Sequence, residues 1–558
     1  MSPLQSNINA LVSALSAMGL QHVVICPGSR NAPLVMAMAR HKDLTCHSAT
    51  DERSAAFMAM GMAIQSGKPA AVCCTSGSAV LNLYPAIAEA YYMQMPLMLI
   101  TADRPPELID RWDGQAIRQN GVFHAHVKSS FQTGEASDAG AEEQFFDLGA
   151  QAVQSAMSGV KGPVHINVPM REPLYGAAGE SFEFPLFPLP EASGKQTEHT
   201  TIETGYFAGY TRILILNGAG DPDQALSIQL AKLNKQRSAV VISDVCSGQH
   251  AVSAFANWES LMLSATAEQK QALLPDLLIS TGKMVLNKAL RQWLKAAKSF
   301  RHLHIAENGY CADPFDSRPE VLTAPASELI AALHNQINTT QTGAYYAQWA
   351  QLSDAQMRKR TDIVASAFNE LQAVEMLLEA MSAERLHLHL ANSMSIRLAA
   401  YCAHALGDKW TIRANRGVSG IDGCTSTAMG MALADSGQHL LISGDLAFLY
   451  DVNAFLCQHI PSNLKCVVLN NRGGGIFRNI DGPSDMPEAG TYLYTPHRLD
   501  ASHTAAQHGL GYLKADSAET LSAALETFNA FKGFCILEVF TSSETNAKIF
   551  NQYKSISI

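Results

Sequence analysis

The chain has 558 residues and a formal net charge of −10, and 47% of its residues are hydrophobic while only 16% are charged. This length exceeds what one hydrophobic core can hold, so several domains are expected, and the negative charge gives no support for a nucleic-acid-binding protein. No uncharged apolar run reaches about 18 residues and the first residues lack the basic and apolar regions of a signal peptide, so we expect a cytoplasmic protein without a membrane span.

The first predicted domain covers residues 1–180 and alternates strands, turns and helices. Three apolar runs each enter a polar turn, and a fourth run closes the block. This alternation predicts a doubly wound parallel sheet. The runs are 22–25, 70–74, 97–101 and 164–168.

A linker is predicted over residues 181–200, which are rich in Gly, Pro and Ser. The middle domain, 201–337, begins with the apolar run 213–216 and the turn Asn217-Gly218-Ala219-Gly220. That turn does not complete a Gly-x-Gly-x-x-Gly motif, so it is weak support for a nucleotide site. The last domain, 338–558, repeats the strand and turn pattern, which makes the chain an α/β protein with three doubly wound parallel-sheet domains.

Eleven cysteines are present, and none is arranged Cys-x-x-Cys. Cys73 and Cys74 are adjacent within an apolar run, which is typical of small buried side chains. The cysteine pattern indicates a reducing compartment, without structural disulfides or a zinc site.

Two polar turns in the last domain follow apolar runs. Asp445 follows the run 440–443 and Asn471 follows the run 466–469, with room for one helix between them. The carboxyl ends of parallel strands share one edge of a sheet, so both side chains are expected there. A carboxylate and an amide oxygen suit Mg²⁺ that also binds a diphosphate. An ordinary pair of strand-to-helix turns is the alternative.

This spacing resembles the thiamine diphosphate (ThDP) fingerprint, a Gly-Asp turn followed by Asn-Asn. Leu446 departs from it, because Gly more often follows the Asp. ThDP enzymes also need a carboxylate for the pyrimidine ring, and Glu52 opens an Ala- and Met-rich helix with almost no other charge. Stabilisation of the helix dipole is the alternative role of Glu52.

Four arginines lie in turns or helix starts beside strand ends: Arg30, Arg104, Arg397 and Arg416. Guanidinium groups bind carboxylates through two parallel hydrogen bonds. The four together therefore predict a substrate rich in carboxylates, and surface ion pairing is the alternative for each of them.

Further motifs are distributed over nearly the whole chain. They are Cys26-Pro-Gly-Ser-Arg-Asn-Ala-Pro-Leu34, Thr50-Asp-Glu-Arg53, Thr75-Ser-Gly-Ser-Ala-Val-Leu-Asn-Leu-Tyr-Pro85, Thr101-Ala-Asp-Arg-Pro-Pro-Glu-Leu108, Gln115-Ala-Ile-Arg-Gln119, Asn415-Arg-Gly-Val-Ser-Gly-Ile-Asp-Gly423, Gly444-Asp-Leu446 and Asn470-Asn-Arg-Gly-Gly-Gly-Ile-Phe477. In these motifs the chain resembles the 2-succinyl-5-enolpyruvyl-6-hydroxy-3-cyclohexene-1-carboxylate (SEPHCHC) synthases, ThDP-dependent transferases of menaquinone biosynthesis, in which a Leu after the metal Asp is usual.

The resemblance implies decarboxylation of 2-oxoglutarate and addition of the succinyl unit to isochorismate. It implies a pyrimidine-binding first domain, a middle domain like domain III of transhydrogenase, and a diphosphate-binding last domain. It also implies Mg²⁺, replaceable by Mn²⁺, bound by Asp445, Asn471 and the Gly473 carbonyl. The ThDP-binding residues would be Pro27, Glu52, Thr75, Asn82, Ser419, Ile421 (as the apolar wedge), Gly444, Asp445, Leu446, Asn471 and Ile476. The substrates would meet Ser29, Arg30, Arg104, Gln115, Lys283, Ser393, Arg397, Arg416, Ile476 and Phe477, with Glu52, Arg30, Ser393, Arg397 and Arg416 in catalysis.

Family members are expected to bring a basic pair from the middle domain, and here Lys283 is followed by Met284 where some relatives have Arg. The resemblance also implies a homodimer or homotetramer in which Glu52 of one subunit meets Asp445 of another. Two alternatives stay open: an acetolactate-synthase-like enzyme or decarboxylase acting on a smaller 2-oxo acid, and an inactive scaffold with this fold.

Overall fold

A computed structural model describes residues 2–175, 182–191, 199–297, 299–337, 339–381, 385–480, 482 and 485–556, leaving out the side chains of 339–341. The predicted domain boundaries at 180/181 and at 338 lie outside the described residues, as does much of the predicted linker. In the described part of the chain, every pairing between neighbouring strands is parallel.

The first domain builds a six-stranded sheet with apolar cores on both faces. Alternate strand residues enter the two cores, as Val24 and Val72 do on one face and Val23 and Ala71 on the other. The strands are β1 (His22–Ile25), β2 (Thr45–Ser48), β3 (Ala70–Cys74), β4 (Leu97–Asp103), β5 (Ser129–Gln132) and β6 (Val164–Pro169), in the order β2-β1-β3-β4-β6-β5. The helices are α1 (Pro3–Ala17), α2 (Ala32–Arg40), α3 (Glu52–Ser66), α4 (Ser78–Asn82), α5 (Tyr84–Met93) and α6 (Glu142–Met157).

The middle domain has five described strands, again between two cores. They are β7 (Ile213–Asn217), β8 (Val240–Ser243), β9 (Leu277–Thr281), β10 (Arg301–Ile305) and β11 (Glu320–Leu322), in the order β11-β10-β9-β7-β8. The helices are α7 (Gln224–Gln236), α8 (Trp258–Ser264), α9 (Ala267–Ala272), α10 (Lys288–Ala296) and α11 (Ala326–Gln336).

The last domain repeats the layout of the first. Its described strands are β12 (His387–Leu390), β13 (Thr411–Arg413), β14 (His439–Gly444), β15 (Leu464–Asn470), β16 (Gly511–Ala515) and β17 (Cys535–Phe540), in the order β13-β12-β14-β15-β17-β16. The helices are α12 (Thr339–Val364), α13 (Glu370–Ala380), α14 (Met394–Tyr401), α15 (Cys424–Leu433), α16 (Asp445–Tyr450), α17 (Ser502–His508), α18 (Ala518–Ala530) and α19 (Ser543–Lys554). The predicted α/β architecture of three parallel sheets is confirmed.

Helix α12 belongs to two domains at once. Its side chains Tyr345 and Trp349 lie in a core of the middle domain, whereas Val364 lies in a core of the last domain. One continuous helix of 26 residues therefore joins the two cores.

The first and last domains share a core where α3 crosses α15. At the crossing the two backbones touch: a Cβ at Gly61 would lie 2.2 Å from the Thr427 carbonyl oxygen, and one at Gly430 would lie 2.0 Å from that of Met58. The two glycines therefore let the helices approach more closely than side chains would permit. This crossing fixes the direction of α3 and so the place of Glu52 at its start.

Candidate active site

Asp445 lies at the carboxyl end of β14 and opens α16. Its carboxylate is buried and accepts hydrogen bonds from the backbone N–H of Leu446 at 2.7 Å and of Gly473 at 3.0 Å. His497 Nε2 lies 3.2 Å from the same carboxylate. Burial raises the pKa of Asp445, and the backbone donors and His497 act against that rise.

Asn471 follows β15, the strand paired with β14, so it reaches the same edge as Asp445. Its Nδ2 donates to Glu370 Oε1 at 2.7 Å, while its Oδ1 is buried with no hydrogen-bond partner among the described residues. Glu370 is itself buried, and burial, together with the charge of Asp445, raises its pKa to about 7. A buried, unpartnered amide oxygen beside a carboxylate is a donor set that fits Mg²⁺.

The turn after Asn471 has no room for side chains at Gly473 and Gly474. A Cβ at Gly473 would lie 2.3 Å from the Tyr494 carbonyl oxygen, and one at Gly474 would lie 2.8 Å from that of Leu493. Beyond these glycines, Ile476 and Phe477 lie half-buried in a short 3₁₀ turn. Gly444 and Leu446 flank Asp445, so the structure gathers this part of the predicted cofactor site.

Ile421 lies close to the Asp445 turn. Its side chain packs against a small apolar cluster that includes Ala391 and Ala447, and Ala447 is on the helix that Asp445 opens. A residue from the first domain secures the loop before Ile421: the buried Glu89 carboxylate accepts from the backbone N–H of Val418 at 2.8 Å and of Ser419 at 3.2 Å. Nothing in the sequence motifs marked Glu89 for this role.

Glu52 is the first residue of α3, whose N-cap is Asp51. Its Oε2 accepts a hydrogen bond from Asn82 Nδ2 at 3.3 Å, so these two predicted ThDP-binding residues are neighbours. The next residue, Arg53, donates to the carbonyl oxygen of Tyr450, the last residue of α16. Among the described residues of one chain, no hydrogen bond or ion pair joins Glu52 to the Asp445 cluster.

The turn after β1 packs directly on the turn after β3. Pro27 and Ser29 are exposed in the first turn, and a Cβ at Gly28 would lie 2.4 Å from Thr75 Cβ in the second. Thr75 is buried, and its hydroxyl oxygen has no hydrogen-bond partner among the described residues. Pro27, Ser29 and Thr75 are thereby brought together at the carboxyl edge of the first sheet.

Arg30 and Arg104 each use only part of their guanidinium within the protein. Arg30 is buried and donates to the Met170 carbonyl oxygen at 3.0 Å and to Glu172 Oε1 at 3.0 Å. Arg104 pairs with Asp113 at 3.2 Å and donates to the Gly114 carbonyl oxygen at 2.7 Å.

Gln115 follows in the same loop as Asp113 and Gly114. It has a positive φ of 57°, and its carbonyl oxygen accepts from the Ser76 hydroxyl at 2.8 Å. This contact secures the loop beside the turn after β3.

Arg397 and Arg416 converge on the turn after β12. Arg416 donates to Asn392 Oδ1 at 2.9 Å, and Arg397 donates to the carbonyl oxygen of Ser393. Ser393 holds a φ of +73°, a conformation that costs free energy in a non-glycine residue and is common at functional turns. Arg416 Nε is buried without a hydrogen-bond partner among the described residues, which leaves a donor for an anion.

The middle domain adds charged groups beside these arginines that the motifs did not identify. Glu259 is buried in α8, and burial and the charge of Asp244 raise its pKa, while Arg397 and Arg416 oppose that rise. Arg291 of α10 is half-buried, and burial and the charge of Arg416 lower its pKa. Arg291 therefore brings a cation from the middle domain close to Arg416.

Lys283 has different neighbours. Its Nζ donates to the Met93 carbonyl oxygen at 2.7 Å, and desolvation lowers its pKa to about 8. The charges that act on it are those of Asp221, Lys161 and Arg413. Among the described residues of one chain, the charge of Arg416 thus acts on Arg291, whereas other charges act on Lys283.

Comparisons with known proteins agree with this geometry. The profile of the thiamine pyrophosphate enzymes, N-terminal TPP binding domain, matches residues 8–127, and that of the C-terminal TPP binding domain matches residues 396–539. The SEPHCHC synthase of Cytophaga hutchinsonii is 37% identical over 96% of this chain and 96% of its own length. Those of Flavobacterium johnsoniae and Bacteroides fragilis are 36% and 33% identical, over 98% of this chain and 97% and 98% of theirs. The chain belongs to the SEPHCHC synthase family.

A solved structure confirms the fold of this SEPHCHC synthase family member. Benzoylformate decarboxylase from Polynucleobacter necessarius aligns with a TM-score of 0.70 over 97% of this chain and 99% of its own, at 16% sequence identity. At that identity the likeness concerns the fold alone. Among the described residues, no helix combines the length and apolar character needed to cross a membrane.

The family and its thiamine diphosphate-binding domains, predicted from the motifs, are thus confirmed. The individual roles of the site residues, the metal ion and the subunit arrangement stay predictions. The structure adds Glu89 and Glu370, which contact site residues far from them in sequence, and Glu259 and Arg291, whose charges interact with those of site arginines. None of the four belongs to a motif that the sequence analysis identified.

Proposed function

We propose that this chain catalyses the reaction for which its relatives are named: decarboxylation of 2-oxoglutarate and 1,4-addition of the succinyl unit to isochorismate, giving SEPHCHC and CO₂ in menaquinone biosynthesis. The observation that carries the proposal is the full-length match to relatives of that name at 33–37% identity. The partly unpartnered guanidinium groups at the sheet edges support it, because each substrate carries two carboxylates.

The chain's own residues have distinct tasks in this proposal. Thiamine diphosphate, when bound, supplies the electron sink for loss of CO₂ from a 2-oxo acid. Asp445, Asn471 Oδ1 and the Gly473 carbonyl oxygen would hold Mg²⁺, which Mn²⁺ could replace, and the metal would supply positive charge for the diphosphate. Glu52 would hydrogen-bond the pyrimidine ring, and Ile421 would support the cofactor as an apolar wedge. Pro27, Thr75, Asn82, Ser419, Gly444, Leu446 and Ile476 complete the cofactor site.

The substrate side uses two groups of cations. Arg30 and Arg104, with Ser29 and Gln115, come from the first domain, and Arg397 and Arg416, with Ser393, come from the last. Lys283 is added from the middle domain, and Ile476 and Phe477 form an apolar wall. A guanidinium group binds a carboxylate through two parallel hydrogen bonds and so fixes its orientation. In this proposal the arginines therefore orient both substrates relative to the cofactor.

The complete site is proposed to form between subunits of a homodimer or of a homotetramer built from such dimers. Large apolar side chains are exposed where the first and last domains meet, which is typical of protein–protein interfaces. They include Leu81, which precedes the Asn82 that contacts Glu52, and Tyr92 of α5. In the last domain they include Tyr450 at the end of α16, and Val418 and Leu456 on loops. Glu52 and Asp445 would then act across the interface.

The experiment is CO₂ release from 2-oxoglutarate by the protein with ThDP and Mg²⁺, with and without isochorismate, while isochorismate consumption is followed. The expected result is CO₂ release that depends on isochorismate and matches its consumption one to one. CO₂ release from pyruvate in preference to 2-oxoglutarate would instead support the acetolactate-synthase-like alternative.

Glu52→Gln tests the role assigned to the carboxylate. Glutamine has the shape of glutamate but no ionisable carboxyl group, so it cannot exchange a proton with the pyrimidine ring. The kcat is therefore expected to fall by at least about 100-fold while ThDP affinity is retained. The matched control is Glu142→Gln, which removes another acid from the first turn of a helix. Unchanged turnover in Glu52→Gln would refute the assigned role without touching the family assignment.

A further inference from the structure

Three histidines form a stack at the edge of the last sheet opposite to Asp445. His387 opens β12, His389 follows on the same face, and His439 opens the neighbouring strand β14. The rings of His387 and His439 lie 4.5 Å apart with an interplanar angle of 15°, and those of His389 and His439 lie 5.2 Å apart at 11°. Because this is the amino edge of the sheet, the stack is separate from the metal site proposed at its carboxyl edge.

Asp435 completes the cluster from the loop between α15 and β14. Its Oδ2 lies 2.9 Å from His387 Nε2 and 3.5 Å from His439 Nε2. His387, Asp435 and His439 have ligand atoms that all lie within 4.8 Å of one another. In the described part of the chain, no other group of three or more His, Cys, Asp or Glu side chains meets this condition. Two ligands on a tetrahedral Zn²⁺ lie about 3.3 Å apart, and the two observed distances fall on either side of that value.

The ligand atoms of the cluster converge on one point. Asp435 Oδ2 faces the Nε2 atoms of both His387 and His439, and a carboxylate and two imidazoles so arranged can bind one cation. The nearby Arg413 is directed away, to Asp221 at 2.6 Å.

The ligand atoms are also oriented as metal ligands usually are. His439 Nδ1 is hydrogen-bonded to His389 Nε2 at 2.9 Å, while its Nε2 is buried and makes no hydrogen bond of good geometry among the described residues. Metal-binding histidines commonly have their second nitrogen fixed in this way. The space beside the ligands is kept open by Gly437, where a Cβ would lie 2.9 Å from Asp435 Oδ2 and 3.2 Å from His387 Nε2.

We propose that His387, Asp435 and His439 bind a transition-metal ion of the Zn²⁺ class. Two imidazoles and a carboxylate favour Zn²⁺ over Mg²⁺, and His387 and Asp435 are each about one-quarter exposed, so the fourth position opens to solvent. Gln65 of α3 donates to the same Asp435 oxygen at 2.9 Å. The proposed ion therefore lies at the junction of the first and last domains. The cysteine pattern gave no sign of this site because none of its ligands is a cysteine.

The test is calorimetric titration of Zn²⁺ into the full-length protein saturated with ThDP and excess Mg²⁺, which competes with Zn²⁺ for the diphosphate site. One saturable Zn²⁺ per chain is expected, and Co²⁺ in its place should give the visible absorption of tetrahedral coordination. His387→Ala and Asp435→Asn lie at partly exposed positions and should each weaken Zn²⁺ binding at least 100-fold. His389→Ala should weaken it by about 10- to 100-fold, as expected for a group that orients a ligand.

His47→Gln is the matched control, since it removes another partly buried imidazole whose pKa burial lowers to about 4. It should leave Zn²⁺ affinity unchanged. Zn²⁺ should also raise the Tm of the wild-type protein and not that of Asp435→Asn. Absence of saturable Zn²⁺ binding, or wild-type affinity in both His387→Ala and Asp435→Asn, would overturn the proposal.

Discussion

Glu370 accepts a hydrogen bond from the amide nitrogen of Asn471, and the amide oxygen has no hydrogen-bond partner among the described residues. Glu370 reaches the Asn471 amide from the start of α13 and is not itself one of the predicted substrate- or cofactor-binding residues. It is thus a positioning residue: without its acceptor, the Asn471 amide can rotate, and a ligand oxygen is lost from the metal site.

Glu370→Ala is therefore expected to weaken Mn²⁺ or Mg²⁺ binding by about 10- to 100-fold, because groups that orient metal ligands have effects of that size. The measurement is Mn²⁺ affinity by electron paramagnetic resonance in the presence of ThDP. Glu379→Gln, on the exposed face of the same helix, is the control and should bind Mn²⁺ as the wild type does. Equal affinities in the two variants would show that Asn471 is held by other means.

Asp451 gives a pH prediction. Its carboxylate is buried where α3 meets α15, accepts from the Ser426 backbone N–H at 2.6 Å and its hydroxyl at 2.8 Å, and burial raises its pKa from 3.8 to about 6. Since the folded-state pKa exceeds the unfolded value, the stabilising contribution is complete below pH 4 and is lost as the pH rises through 6.

Between pH 4 and 6, the free energy of unfolding of the wild type should therefore fall relative to that of Asp451→Asn, by on the order of 3 kcal/mol. Urea unfolding of both proteins at half-unit pH steps measures this difference. Parallel pH profiles for the two proteins would mean that Asp451 does not titrate in this window.

At the level of elements, the crossing of α3 and α15 depends on two glycines. A methyl group at Gly430 would meet the Met58 carbonyl oxygen at 2.0 Å, and backbone cannot move aside as a side chain can. Gly430→Ala should lower the free energy of unfolding by roughly 3 kcal/mol, and Gly61→Ala by a similar amount. Thermal unfolding reports both.

Gly343→Ala is the control for helix propensity. Gly343 also lies within a helix, and among the described residues nothing is within 4 Å of the added Cβ. This change should leave the free energy of unfolding unchanged or raise it by up to about 1 kcal/mol, and the Tm should change in the same direction. If all three substitutions changed the Tm by a similar amount, the close approach of α3 and α15 would not explain the loss of stability in Gly61→Ala and Gly430→Ala.

The elements differ in how far the sequence predicted them. Central strands such as β3 and β15 are continuous apolar runs because both faces are buried, and their predicted ends agree with the structure to within two residues. Edge strands such as β2 (Thr-Cys-His-Ser) and β5 (Ser-Ser-Phe-Gln) carry no such run, and nothing in the sequence marked them.

The sequence likewise predicted only part of the candidate site. Asp445 and Asn471 could be placed together because parallel strands end at one edge of a sheet. Glu370 lies 101 positions from Asn471 and reaches it through tertiary packing alone. The positive φ of Ser393 is likewise imposed by its surroundings, since no serine prefers it.

For the whole molecule, the proposed site between subunits can be tested by mixing two inactive variants. Glu52→Gln is altered in the first domain and Asp445→Asn in the last, so a mixed dimer would contain one site with both changes and one with neither. If subunits assort randomly, half of the dimers are mixed and about one-quarter of wild-type activity should return after co-refolding or co-expression. If each site is built within one chain, the mixture stays inactive.

Helix α12 limits where chimaeras between homologous proteins can be joined. At 1.5 Å per residue its 26 residues span about 39 Å, and its early turns are part of the middle domain although the sequence pattern assigns them to the last. A chimaera cut at the polar stretch near residue 338 would remove Tyr345 and Trp349 from the core they fill. Exchange of the middle domain between homologues should succeed only when the first half of this helix travels with it.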